Sequence, residues 1–392
     1  MLAPIAPADP LPLLEALIRC PSVTPKEAGV LDVLAAALEP LGFVCTRLRF
    51  EGDGSYPVDN LFAVRERPGK RLLFAGHTDV VDPGDRSAWT SDPFDPTERD
   101  GKLFGRGTAD MKSGIAAFVA AAQTAIASGD ADRGTLALVI TNDEEADAIN
   151  GTDKLMKWAA GQGHHWDFAI VGEPSSSVRL GDSIKIGRRG SLNGAITVTG
   201  TQGHVAYPEK ANNPLPVLAA LITRLSSTPL DSGTEHFPPS NLEVTSVDVG
   251  NTTSNIIPAG GSLRFNIRFN DQWTPETLRS WLDGQIAATE AGGCTVRLEV
   301  LKAPSRSFLS PSSGAVELLC QTITEQTGEK QALSTGGGTS DARFVAAYCP
   351  VVECGLVGPS MHKVDEHIAL SDLRGLTRLY AAFIGRFFEP AR

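Results

Sequence analysis

At 392 residues the chain is too long for one ordinary hydrophobic core and long enough for two domains. Its 42% hydrophobic and 21% charged residues describe a globular protein, and no window approaches the ~20 apolar residues of a membrane span. A formal net charge of −11 argues against nucleic-acid and anionic-membrane partners, which need basic patches, but not against an anionic substrate held by a few local arginines.

The chain opens on MLAPIAPADPLPLLEALI, which lacks the basic start and uninterrupted apolar core of a signal peptide. Six cysteines (Cys20, Cys45, Cys294, Cys320, Cys349, Cys354) form no CxxC pair and read as reduced thiols. Together these place the protein in the cytoplasm. Leu11 to Arg19 reads as a first helix and Ala28 to Leu41 as a second, stopped by Gly42. Phe43 to Phe50 alternates as a strand does, and Leu61 to Arg65 pairs nearby.

The run Leu72-Leu73-Phe74 is a buried strand, closed by Ala75-Gly76 and followed by His77-Thr78-Asp79. Such a strand delivers its next side chains to the carboxyl edge of a sheet, where α/β proteins keep their chemistry. His77 and Asp79, two apart on extended backbone, share a face, as suits a metal-ligating histidine held by a carboxylate. A lone HxD is more often a strand-end histidine capping a loop. Further ligand types at later strand ends shift that balance.

Val81 to Leu103 reads as a long surface loop, then comes GRGTADMKSG and an Ala-rich helix over Ile115 to Ser128. The glycines match neither GxGxxG nor GxxxxGK[ST], so no phosphate loop is expected. Asp110 taken alone is equally a helix N-cap. Thr135 to Thr141 is a strand ended by Asn142-Asp143-Glu144-Glu145, a run usually explained as a solvated loop. Phe168 to Val171 is a fourth strand, closed by Gly172-Glu173-Pro174 in the same manner.

The pattern changes near Gly187. Strands over Leu192 to Thr199, Leu242 to Val249, Ser262 to Phe269 and Thr295 to Val300 alternate with helices over Pro214 to Ser226 and Pro275 to Ala291. This suits a compact α+β insert with an antiparallel sheet over residues 188–300. From about Lys302 α/β character resumes: a helix over Gly314 to Thr327, GGGTSDARF, a strand over Val351 to Cys354, His362 in a loop, and a helix over Ser371 to Phe388. The fold class is therefore α/β: a domain of residues 1–187 and 301–392 with a mixed, mostly parallel sheet between helices, plus the insert.

The strand-end residues His77, Asp79, Asp110, Glu144, Glu145, Glu173 and His362 make a ligand set for borderline divalent ions, zinc first, with cobalt or manganese possible. They are too many for one tetrahedral ion, whereas two ions sharing a bridging carboxylate would use them. Such a pair clamps the attacking and developing oxygens of a hydrolysis. One carboxylate must stay free to take a proton from water and pass it to the leaving nitrogen. Adjacent Glu144 and Glu145 point apart, so one can ligate while the other acts as base.

The segments HTDVV, GRGTADMKSG, NDEEADAINGT, VGEPSS, QGHVAYP, GGGTSDARF and SMHKVDEH, in that order from the first helix to the last, resemble the co-catalytic zinc aminoacylase/carboxypeptidase family. The resemblance implies that His77, Asp110 and Glu173 hold one zinc and that Asp110 bridges to a second held by Glu145 and His362, with cobalt a substitute. It implies that Asp79 orients His77, that Glu144 is the general base and acid, and that the peptide after Asp110 is often cis. It makes the insert a dimerisation and lid domain whose His204 reaches a partner's site to stabilise the oxyanion. Asn255 is carried over as a substrate or oxyanion contact, Arg188 and Arg268 as carboxylate holders, and Gly338 and Thr339 as pocket lining. Tyr207 is a weaker candidate, equally a packing residue, and Arg189 reads as surface or hinge charge.

The implied activity is hydrolysis of a small dicarboxylate amide by a homodimer. A related N-acyl-amino-acid deacylase or a metallo-carboxypeptidase is the alternative. A non-catalytic metal-binding relative is disfavoured because base and ligands are all present. Two departures bear on substrate preference: Gly355-Leu356-Val357-Gly358-Pro359-Ser360 carries no asparagine before His362, and Asp365 stands where Asn is common. His164, His165, His236 and His367 match nothing and read as surface residues.

Overall fold

The computed structural model describes residues 8–301, 304–310 and 312–390. Residues 1–7 of the opening segment and Lys302, where α/β character was expected to resume, lie outside them. The chain divides into two compact units: one runs to Ile186 and resumes over Ser310–Ser334 and from Ser340, the other comprises Gly187–Leu309 and Thr335–Thr339. No helix among the described residues is long and apolar enough to cross a membrane. All six cysteines are free.

The first unit is built on an eight-stranded sheet in the spatial order Val44–Gly52, Ser55–Arg65, Gly134–Thr141, Lys70–His77, Phe168–Val171, Val351–Glu353, Ser183–Lys185, Ala332–Ser334. The central pairs, Lys70–His77 with both its neighbours and Phe168–Val171 with Val351–Glu353, are parallel, while the first three strands meet antiparallel. The central strands are apolar at nearly every position because helices cover both faces, as parallel sheets require. Phe74 stacks on Phe118 of the Ser113–Ala127 helix at 4.3 Å, and Tyr380 of the Leu370–Phe387 helix meets Phe118 edge-on at 5.8 Å. The Ala-rich helix lies very close to the sheet edge. A Cβ built at Gly114 would stand 2.3 Å from the Gly172 carbonyl oxygen, so only glycine permits this approach.

The second unit carries a four-stranded antiparallel sheet in the order Asn241–Asp248, Gly260–Phe269, Gly190–Thr199, Thr295–Val300. Alternation buries Leu192, Ile196, Val198, Leu263, Phe265, Ile267 and Phe269 on one face, against Leu218 and Leu221 of the Leu215–Ser227 helix and Leu278 and Leu282 of the Pro275–Ala287 helix.

Several expected elements shift. The second helix begins at Val30, not Ala28, because Ala28 and Gly29 take left-handed φ of 54° and 80°. Glu27 caps it there, its carboxylate accepting from Gly29 N at 2.9 Å and Leu31 N at 2.6 Å. The helix from Pro275 ends at Ala287 rather than Ala291, short of Gly292 and Gly293, both at positive φ. The expected loop from Val81 to Leu103 contains the hairpin Thr97–Arg99 and Lys102–Phe104, which pairs with His367–Ala369. The helix Thr152–Gly161 and the strands Ser183–Lys185 and Ala332–Ser334 were not anticipated.

Candidate metal centre

Parallel register assembles the centre. His77 ends its strand opposite Thr141, and Ala75 lies opposite Val171. The segment after Thr141 (Asp143, Glu144, Glu145) and Glu173 after Val171 therefore leave the sheet at the same edge as His77. Asp110 joins them from the turn before the Ala-rich helix. Its backbone is extended, φ −125° and ψ 102°, and the Asp110–Met111 peptide is cis. Met111 lies against the sheet edge, where a Cβ on Gly76 would come 2.5 Å from its Cε.

The side chains converge in two triads, His77, Asp110, Glu173 and Asp110, Glu145, His362, the ligand atoms of each lying within 4.8 Å of one another. His77 Nε2 is 3.1 Å from Asp110 Oδ1 and 3.4 Å from Glu173 Oε1. His362 Nε2 is 3.1 Å from Asp110 Oδ2 and 3.1 Å from Glu145 Oε1. Each oxygen of Asp110 thus faces a different imidazole. His77, Asp110 and Glu173 are buried, while His362, at φ 61°, stays exposed.

The electrostatics are those of crowded acids. Burial, with the neighbouring Asp110 charge, pushes the Glu173 carboxyl up to about 8. Burial and the charges of Glu173, Asp341 and Glu145 raise Glu144 well above the usual range. Burial disfavours a charged His77, yet its hydrogen bonds to Asp110, Asp79 and Glu173 raise it well above the ordinary imidazole value. Hydrogen bonds to Asp110 and Glu145 push His362 up to about 10. Against its own burial, the two imidazoles hold Asp110 low. Imidazole and carboxylate donors fit a pair of divalent cations, whose charge would offset this repulsion and leave the rings neutral as ligands.

Asp79 faces more than His77. His77 Nδ1 lies 2.9 Å from the Asp79 main-chain oxygen and 3.5 Å from its carboxylate. The carboxylate also accepts from Glu144 N at 3.2 Å, Glu145 N at 3.1 Å and Thr24 Oγ1 at 2.8 Å. It anchors the backbone of the two glutamates. Asp143 fixes the far end of the same turn: its fully buried carboxylate accepts from Tyr56 and from Ile149 N and Asn150 N. The expected solvated run is thus a fixed turn.

Other residues of the centre escaped the sequence reading. Glu366 is fully buried and binds the backbone beside Asp110; its only signal was its place in HKVDEH. Asp341, within GGGTSDARF, is a buried carboxylate 3.9 Å from Arg343 Nη2. Two histidines read as surface are half-buried, because His164 packs on Phe62 and His367 on Phe104, each at 4.8 Å.

The expected substrate residues Arg188, Tyr207, Asn255, Arg268, Gly338 and Thr339 and the catalytic candidate His204 all fall in the second unit. Arg188 is buried, its Nη1 3.3 Å from the Gly336 oxygen. Arg268 is half-buried with Nη1 unpartnered among the described residues, and Arg189, far from being free surface charge, bonds Asn241 Oδ1 at 2.9 Å. His204 and Asn255 are exposed on two short paired segments, and Val205 N donates to the Asn255 oxygen at 3.1 Å. Tyr207 is 54% exposed, its ring edge-on to His204 at 5.8 Å and under Lys210 Nζ at 5.0 Å.

A model of the family described as Peptidase family M20/M25/M40 matches residues 73–386. A succinyl-diaminopimelate desuccinylase of Rhodospirillum centenum is 50% identical over 383 residues, covering 98% of this chain and 98% of the relative. Another, of Methylocella silvestris, is 49% identical over 378 residues, covering 96% and 97%. Among solved structures, aminopeptidase PepT of Bacillus cereus matches with a TM-score of 0.78 at 19% identity, covering 97% of this chain and 100% of the other, a likeness of fold.

Proposed function

Because the chain belongs to peptidase family M20/M25/M40, we propose that this hydrolase cleaves N-succinyl-LL-2,6-diaminopimelate to succinate and LL-2,6-diaminopimelate. The relatives at 50% and 49% identity supply the substrate. The observation that carries the chemistry is the Asp110 carboxylate shared between two imidazole–carboxylate triads at one sheet edge.

His77, Asp110 and Glu173 would hold one ion, and Asp110, Glu145 and His362 the other, zinc at each site with cobalt able to replace either. Such a pair would supply Lewis acidity to the scissile carbonyl and make water acidic enough to ionise near neutral pH. Glu144, which appears in neither triad, takes one proton from the attacking water. The water oxygen bonds to the amide carbon, the C–N bond breaks, and Glu144 returns the proton to the departing amine. Asp79 keeps Glu144 and Glu145 in place through their main-chain N–H groups. From the second unit, Arg188 and Arg268 take substrate carboxylates in bidentate fashion, while Gly338, Thr339, Tyr207 and Asn255 line the pocket.

The reading includes a homodimer in which His204 donates to the oxyanion of the partner's site, a cytoplasmic setting in keeping with six free cysteines, and a step in diaminopimelate and lysine formation. The test is turnover of N-succinyl-LL-2,6-diaminopimelate against N-acetylornithine by enzyme loaded with zinc. The succinyl substrate should be favoured; faster hydrolysis of acetylornithine would overturn the assignment.

A further inference from the structure

The backbone from Gly105 to Lys112 is neither strand nor regular helix, so its buried N–H groups need acceptors from elsewhere. One side chain supplies the acceptors for three of them, Gly107, Ala109 and Asp110. Glu366 Oε1 accepts from Ala109 N at 2.8 Å and Asp110 N at 3.1 Å, and Oε2 accepts from Gly107 N at 3.2 Å and Arg106 Nη1 at 2.6 Å. Both Glu366 and Arg106 are buried, and the guanidinium lies 5.1 Å from the Trp89 ring. Such a carboxylate is tolerated only because a cation and several N–H groups meet it.

The same segment carries His362, four positions earlier. It is strapped to the Asp110 side of the molecule on both sides of Glu366. Asp365 accepts from Thr90 N at 2.9 Å and Thr90 Oγ1 at 2.6 Å, the Glu366 oxygen accepts from Gly105 N at 2.9 Å, and His367–Ala369 pairs with Lys102–Phe104. Glu366 is therefore where the loop bearing one imidazole and the turn bearing the shared carboxylate are joined.

We infer that Glu366 is a positioning residue for the two-ion centre: it fixes the backbone at Asp110 so that each carboxylate oxygen faces its own imidazole, and holds the His362 segment to that backbone. The inference rests on the two-ion reading above. Replacing the carboxylate by an amide puts an NH2 group where an acceptor is required, so either the Ala109–Asp110 pair or the Arg106–Gly107 pair loses its partner. Partners behind metal ligands typically change metal affinity by ~10–100-fold.

The experiment titrates metal-free, full-length protein with Zn2+ by calorimetry and with Co2+ by visible absorption, for the parent, Glu366→Gln and Glu366→Asp. The parent should take up two ions. Both variants should bind the more weakly held ion at least ~10-fold less tightly, with altered Co2+ bands that report changed coordination. Aspartate restores the charge but is one methylene shorter and cannot reach all four donors, so it should not rescue. Variants with the parental isotherm and Co2+ spectrum, whatever their melting temperature, overturn the positioning role and leave the proposed function standing. If only one variant folds, it carries the test; if neither folds, Glu366 is a folding residue and the inference fails. A parent that binds fewer than two ions contradicts the proposed function itself.

Discussion

The acids and imidazoles at the sheet edge of the first unit and the polar side chains proposed for substrate in the second are organised in opposite ways. At the sheet edge, Asp79, Asp143 and Glu366 are each buried and each accept several hydrogen bonds from the turns that carry the ligands. In the second unit His204 and Tyr207 are exposed, and Arg268 keeps a buried N–H without a partner among the described residues. The ligand-bearing turns of the first region are fixed by the chain's own hydrogen bonds. The second region presents donors that we propose are met by substrate or by another copy.

Substitutions can break this contrast. The largest effect is expected for Glu144→Ala: turnover should fall by ~10²–10⁴-fold, the range of general acid–base catalysis, while metal analysis still finds two ions. Substantial residual turnover would place the base elsewhere. His204→Ala should cost ~10²–10³-fold, as loss of an oxyanion donor does, again with both ions retained. Mixing it with Glu144→Ala protein should restore activity through hybrid dimers carrying one intact site; no restoration would confine His204 to its own subunit.

Asp79→Asn sharpens the other side of the comparison. Losing a carboxylate that accepts from Glu144 N, Glu145 N and Thr24 should weaken metal binding by ~10–100-fold. An unchanged zinc isotherm would reduce Asp79 to a fold residue. The smallest effect is expected for Arg268→Lys. Exchanging a bidentate fork for a point charge should raise KM by roughly 10-fold, about 1.4 kcal/mol, with kcat little changed. A fall confined to kcat would show that Arg268 acts on the transition state instead.

Much of the first region could be read from the chain because each ligand follows a short apolar run and a parallel sheet brings such ends together. HTD, NDEE and GEP all follow this rule, and the observed register places them at one edge. What escaped is contact between residues far apart in sequence. Nothing local marks Asp79 as the acceptor for Glu144 and Glu145, or Glu366 as the acceptor for Asp110, since those hydrogen bonds span 65, 66 and 256 positions. His164 and His367 were misplaced for the same reason, each covered by a distant phenylalanine. The helix Thr152–Gly161 was overlooked because its buried side is narrow, with Thr152, Leu155, Met156 and Ala159 inward and the charged Asp153, Lys154 and Lys157 between them.

The most direct measurement is anomalous diffraction from a crystal of the full chain grown with zinc. Two peaks should flank the Asp110 carboxylate, one beside His77 and Glu173 and the other beside Glu145 and His362. A solitary peak, or two peaks neither of which touches Asp110, would contradict the shared-carboxylate centre.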